Sequence, residues 1–124
     1  MKQNLLTTII ILFSVYTQAQ TNLNYNERSD TIDILNYQIN LDVTDFSGHQ
    51  IDGNCEITFT PKINNVNFIT LDLQGLNIDS IMANGNPLPF THNDTLINIT
   101  FPVTLNTTDT SALTVYYNGS PQTD

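Results

Sequence analysis

Through most of the chain beyond residue 31, apolar and polar positions trade places at every second residue. Tyr37, Ile39, Leu41 and Val43 alternate with Gln38, Asn40 and Asp42. Ile51, Gly53, Cys55, Ile57 and Phe59 alternate with Asp52, Asn54, Glu56 and Thr58. The same rhythm returns at Ile69, Leu71 and Leu73, at Ile97, Ile99 and Phe101, and at Leu113, Val115 and Tyr117. A period of two with apolar residues on one side predicts antiparallel strands, each with one buried face. After the first twenty residues no segment keeps a 3.6-residue period over three turns. Alanine, the best helix former, occurs only at 19, 83 and 112. Thr and Asn are frequent, and both are poor in helix interiors; Thr suits strands and Asn suits turns. The fold class expected is all-β.

Turn chemistry falls between the runs. DFSGHQ (45–50) joins the first two, and PKINN (61–65) follows the second, where Pro61 has no N–H to give a ladder. Asn84-Gly85 is the strongest signal, because both residues tolerate the positive φ of a type I′ hairpin turn. THND (91–94) and LNTTDT (105–110) separate the last runs. Connections this short predict a meander of sequential neighbours, with 71–90 as a hairpin packed through one face.

The first residues belong to something else. Lys2, the apolar run LLTTIIILFSVY (5–16) and the small residues before Gln20 describe a secretory signal peptide over 1–19, cut after Ala19. The run is too short for a bilayer span, which needs about 20 apolar residues. Residues 20–30 read as a polar leader, and 31–124 as one β-domain. Export is therefore expected. Removing 1–19 takes Lys2 away and leaves Arg28 and Lys62 against 12 acidic residues, a charge of −10. Such a surface repels phosphate, which argues against nucleic acid and anionic lipid; solubility is the plain reading of the acidity.

Cys55 stands alone, so no internal disulfide can form, although export would permit one. Its place in an alternating run marks it as a small buried hydrophobe. A nucleophilic thiol would need a histidine, and His49 and His92 both fall in turns where exposure is expected. The chain has no H-E-x-x-H, no G-x-S-x-G, no phosphate-cradling glycine loop and no C-x-x-C. Asp42, Asp45 and Asp52 could gather near one hairpin end, but without the spacing of a calcium loop. Tyr116 and Tyr117 are strand neighbours and must face opposite ways, one to the core and one outward. The glycosylation triplets at Asn93, Asn98, Asn106 and Asn118 are read as composition. No catalytic, cofactor-binding or metal-binding residue is assigned to this chain.

Several stretches together resemble the opening of the gluzincin zinc aminopeptidases of the aminopeptidase N type. Asp33, Ile34 and Tyr37 match an aspartate-aliphatic-x-x-Tyr strand, and Gly53 and Ile57 a Gly-x-x-x-Ile strand. Leu71, Asp72, Leu73, Gly75 and Leu76 match a Leu-Asp-Leu-x-Gly-Leu segment. Asn84, Gly85 and Leu88 match an Asn-Gly-x-x-Leu turn, and Tyr117, Gly119 and Pro121 a Tyr-x-Gly-x-Pro ending. The resemblance covers about residues 30–122. It implies a β-sandwich or saddle-like N-terminal domain, incomplete at its C-terminal end, serving as a non-catalytic scaffold. In that family a zinc held by H-E-x-x-H and a later Glu activates water, and a G-x-M-E-N loop grips the peptide amine. Those motifs are absent here. The resemblance therefore places zinc and the peptide site on a downstream catalytic domain, the expected partner. The last run, 113–117, would then be an unpaired edge. The alternative is a stand-alone secreted β-sandwich that binds carbohydrate or mediates adhesion, which would need clustered exposed aromatics. Most aromatics here sit at positions expected to be buried.

Overall fold

The computed structural model describes residues 30–121; the expected signal peptide (1–19) and the expected leader up to residue 29 lie outside them. Eight strands make up the regular structure: β1 (Ile32–Asp42), β2 (Ile51–Pro61), β3 (Val66–Asp72), β4 (Asn77–Ala83), β5 (Asn86–Pro87), β6 (Phe90–His92), β7 (Leu96–Leu105) and β8 (Ser111–Gly119). The five alternating runs fall in β1, β2, β3, β7 and β8, except that Val43 and Leu73 lie just past the ends of β1 and β3, and every pairing is antiparallel.

The strands form two sheets, one ordered β1-β2-β8-β4-β5 and the other β3-β7-β6. This order overturns the simple meander. Only β1–β2, β4–β5 and β6–β7 join sequence neighbours, and β8 inserts between β2 and β4. The stretch 71–90 is not one hairpin either. Its first residues end β3 in the smaller sheet, and residues 77–87 form the β4–β5 hairpin of the larger one. The reason is burial: a five-stranded sheet with one apolar face needs a second layer, and returning connections between sheets provide it.

The Asn84-Gly85 turn forms as its residues demand. Met82 pairs with Pro87 and Ala83 with Asn86, leaving a two-residue loop with φ of 50° and 77°. The crossing from β3 to β4 is clamped to the β6–β7 turn by main-chain bonds from Leu73 N to Thr95 O (2.9 Å) and from Gly75 N to Asp94 O (3.2 Å). Asn93 holds that turn through its side chain, accepting from Leu96 N at 2.9 Å. At the other end, Asn64 Oδ1 accepts from Thr107 N and Asn106 Oδ1 from Asn65 N, both at 3.1 Å, tying two inter-sheet loops together. The abundant asparagines thus stand in for missing main-chain partners in loops.

The core draws on both sheets. Ile57, Phe59, Leu113 and Val115 come from the larger one, and Ile69, Ile97, Ile99 and Phe101 from the smaller. Phe59 is fully buried, and its ring meets that of Phe101 across the layers at 5.9 Å and 52°, a tilted arrangement that aromatic quadrupoles favour. Gly53 answers a second packing demand. A Cβ there would lie 2.8 Å from the Asn40 carbonyl oxygen and 3.0 Å from the Tyr117 ring, so only glycine lets Tyr117 lie across β2.

Two stability outcomes follow from this packing. Phe59→Ala leaves a cavity between the layers and is expected to lower stability by about 3–5 kcal/mol, read as a reduced urea midpoint; a loss below ~1 kcal/mol would contradict the assigned core. Gly53→Ala is expected to cost about 1–3 kcal/mol from overpacking, and a neutral effect in the same denaturation assay would show that Tyr117 does not rest there.

Candidate functional site

The most conspicuous surface feature is an apolar groove of about 710 Å³ between β1 of the large sheet and β3 of the small one. Its origin is local. In an antiparallel pair, residues opposite one another share a face. Tyr37 sits opposite Ile57, Ile39 opposite Cys55 and Leu41 opposite Gly53, so all three point toward the core side. Yet Tyr37 is 55% exposed, Ile39 64% and Leu41 49%. The three-stranded sheet is too narrow to reach them. A register shift between Ile34 and Asn36 adds Leu35, which is also exposed.

The open flank therefore lies at β1. It was expected at the last strand, but that expectation fails because β8 is paired on both sides, with β2 and with β4. Around the groove the walls are Ile34, Leu71, Leu73, Leu76 and Ile97, with Asp33, Lys62 and Asp72 also on its lining.

Cys55 lies on the groove floor, half-buried and packed against the core. Burial pushes its thiol above the usual thiol range, the opposite of what an activated nucleophile needs. Burial raises the Tyr117 phenol as well, with the nearby Cys55 adding to it. His49 is exposed in the β1–β2 loop. His92 departs from expectation: it is half-buried in β6, and its Nε2 lies 3.0 Å from the Leu73 carbonyl. A carbonyl only accepts, so Nε2 carries the proton and His92 braces the crossing between the sheets.

The aspartates of the first loop are engaged by that loop. Asp42 accepts from Thr44 N at 2.9 Å, and hydrogen bonds from the Thr44 side chain and main chain hold its carboxyl below the usual range. Asp45 accepts from Gly48 N (2.9 Å) and the Ser47 hydroxyl (3.1 Å), which lower it likewise. Asp52 pairs across the ladder with Asp42. Among the described residues no three His, Cys, Asp or Glu side chains are grouped to hold a metal ion, so these residues do not fit a zinc site. The asparagines of the four triplets are all in use: Asn98 accepts from Thr70, Asn118 donates to Asp79, Asn93 holds its own turn and Asn106 bridges two loops.

Tyr117 is buried and Tyr116 exposed, as strand alternation requires. The aromatics as a group are less buried than their positions suggested. Phe46, Phe68, Tyr37 and Tyr116 are all exposed. Phe68 turns outward because it is the strand neighbour of buried Ile69, and adjacent strand residues face opposite ways. Tyr37 and Tyr116 point from opposite faces of the larger sheet and Phe68 belongs to the smaller, so these three do not make one platform. The groove lining is mainly apolar, and no cluster of metal-ligating side chains stands among the described residues.

The fold recurs in solved structures of M1 zinc metallopeptidases. An M1 zinc metallopeptidase from Deinococcus radiodurans matches with a TM-score of 0.67 and 23% identity over 74% of this chain and 21% of its own. A mutant of the Deinococcus radiodurans enzyme bound to a Tyr-Ser-Ala substrate matches with a TM-score of 0.68 and 22% identity over 76% of this chain and 22% of its own. Leukotriene A4 hydrolase from Saccharomyces cerevisiae matches with a TM-score of 0.63 and 16% identity over 74% and 15% respectively. At these identities the likeness is one of fold, and the chain spans about a fifth of the length of the Deinococcus proteins. No protein-family model and no curated protein sequence matches the chain.

The raised thiol has a sign that can be checked. The folded state holds the Cys55 proton more tightly than the unfolded chain does, so this contribution to stability is present at neutral pH. It is lost as pH rises through the ordinary thiol range toward the folded value. Thiol modification of the native protein should follow a pH profile displaced upward from that of the urea-unfolded chain; coincident profiles would show that Cys55 is not desolvated.

Proposed function

We propose that this chain is the N-terminal β-domain of an exported zinc aminopeptidase and acts in it as a non-catalytic scaffold. The observation that supports the reading best is the lopsided coverage. Three quarters of this chain matches only about a fifth of each Deinococcus metallopeptidase, and a further match, to a mutant described as a two-domain M1 zinc metallopeptidase bound to L-arginine, covers 22% of that chain. A piece of that proportion leaves room for a catalytic domain elsewhere in the polypeptide.

The residues that carry the sequence resemblance support the scaffold role, because each has a structural duty. Gly53 clears space for Tyr117. Tyr37 and Ile57 are opposed on the same ladder. Leu71, Leu73 and Leu76 pack against the core where the chain crosses between sheets. Asn84-Gly85 makes the hairpin turn. None of these positions handles a peptide bond. The zinc that hydrolyses peptides in this family would supply a Lewis acid and an activated water, and its ligands would come from polypeptide other than residues 30–121. Export follows in this reading from the first nineteen residues.

The stand-alone binding module fits less well, since Tyr37, Tyr116 and Phe68 fall on different surfaces.

The reading is tested by sequencing the coding region past Asp124 and by assaying the chain itself. An H-E-x-x-H motif in the same frame is expected. The isolated chain should bind zinc far below one ion per molecule and should show no turnover of aminoacyl anilides with zinc added. Zinc-dependent hydrolysis by this chain, or an open reading frame that lacks the motif, would refute the proposal.

A further inference from the structure

The groove raises the question of what covers it. We propose that residues 20–29 of the same chain, the segment immediately before β1, dock in the groove beside β1 and β3 and cover its apolar floor. This inference rests on the groove and the sequence, and does not depend on the metallopeptidase reading.

The first support is where that segment attaches. The Lys62 main-chain N–H donates to the Thr31 carbonyl at 2.9 Å, which fixes the entry to β1 beside the end of β2. Ile32, Asp33 and Lys62 at that point all line the groove. The chain that precedes residue 30 therefore starts at the groove's own mouth. Its reach is sufficient. Ten extended residues cover about 33 Å, and the run from Ile32 to Leu41 that borders the groove is about 30 Å long.

The second support is chemical complementarity. Leu23 and Tyr25 alternate with Asn22, Asn24 and Asn26. In an extended segment this places two apolar side chains on one side and three amides on the other. Two large apolar groups suit a floor formed by Tyr37, Ile39 and Cys55, and the amides would face water. Glu27 and Arg28 leave residues 20–29 without net charge, so the segment is not repelled by a lining that holds Asp33 and Asp72 together with Lys62. The occupant would also lie next to β3, an outer strand of the small sheet, and would widen the narrow layer on the side where it falls short.

Cys55 is the single thiol of the chain and lies on the floor, so its modification rate reports cover directly. The experiment compares maleimide modification of the protein with that of a Leu23→Asp/Tyr25→Asp variant and of a conservative Leu23→Ile/Tyr25→Phe variant. The charged variant should react at least tenfold faster, and the conservative one within about twofold of the parent. Far-UV dichroism is recorded on all three. If the charged variant does not fold, hydrogen exchange on the unaltered protein decides. Protection of the amides of residues 22–28 supports docking, and exchange at the unfolded-chain rate overturns it. Equal modification rates in the parent and the charged variant overturn it too. So does protection of Cys55 that rises with protein concentration, which would identify a second copy as the cover. Protection that arises only when polypeptide is added after Asp124 likewise overturns it.

Discussion

The inner face of a five-stranded sheet is opposed by a sheet of only three strands, and the rest of the structure answers to that mismatch. Where the two layers overlap, Phe59 and Phe101 meet and the interior closes around them. Where the narrow layer runs out, Tyr37, Ile39 and Leu41 present the same kind of side chain to solvent. Apolar area left uncovered forfeits the gain that drives folding, on the order of 25 cal/mol per Å². It also leaves β1, eleven residues long, as a free edge with no charged residue between Asp33 and Asp42. Such an edge invites pairing or aggregation unless something covers it. The extra residue at Leu35, where the register shifts, is the one device on β1 that disturbs a flat edge.

The polar side chains of the described residues are largely taken up in holding loops and turns. Asp42 and Asp45 satisfy main-chain donors of their own loop. Asn64, Asn93 and Asn106 do the same for turns and for the contact between loops. His92 spends its proton on a carbonyl at the sheet crossing. Groups committed to holding loops are not poised for proton transfer or metal binding, which need a free and convergent set. The Cys55 thiol, desolvated on an apolar floor, is kept neutral by the burial that makes it a packing residue.

Much of this was legible along the chain. The five alternating runs became strands, because the face a side chain takes depends only on its neighbours in the same strand. Asn84-Gly85 became its turn, and Tyr116 and Tyr117 parted to opposite sides, for equally local reasons. The places where the reading failed have their own causes. The meander failed because β8 inserts between β2 and β4, and no residue near those strands in sequence announces the insertion. His92 looked like a turn residue, but the carbonyl that holds it belongs to Leu73, 19 residues earlier. The open flank was misplaced at the chain's last strand because position in sequence says little about position in a sheet.

The sequence by itself determined the alternating strands β1, β2, β3, β7 and β8, the inward side of most of them and the two-residue hairpin, since each is set by residues a few positions apart. Only the tertiary structure decided that β8 lies inside the larger sheet, that 71–90 is shared between two sheets, and that the inward row of β1 stays open. Those outcomes depend on pairings such as Cys55 with Val115, 60 residues apart, and on how many strands each layer holds. At that distance burial over the whole domain, and not local preference, selects the partner.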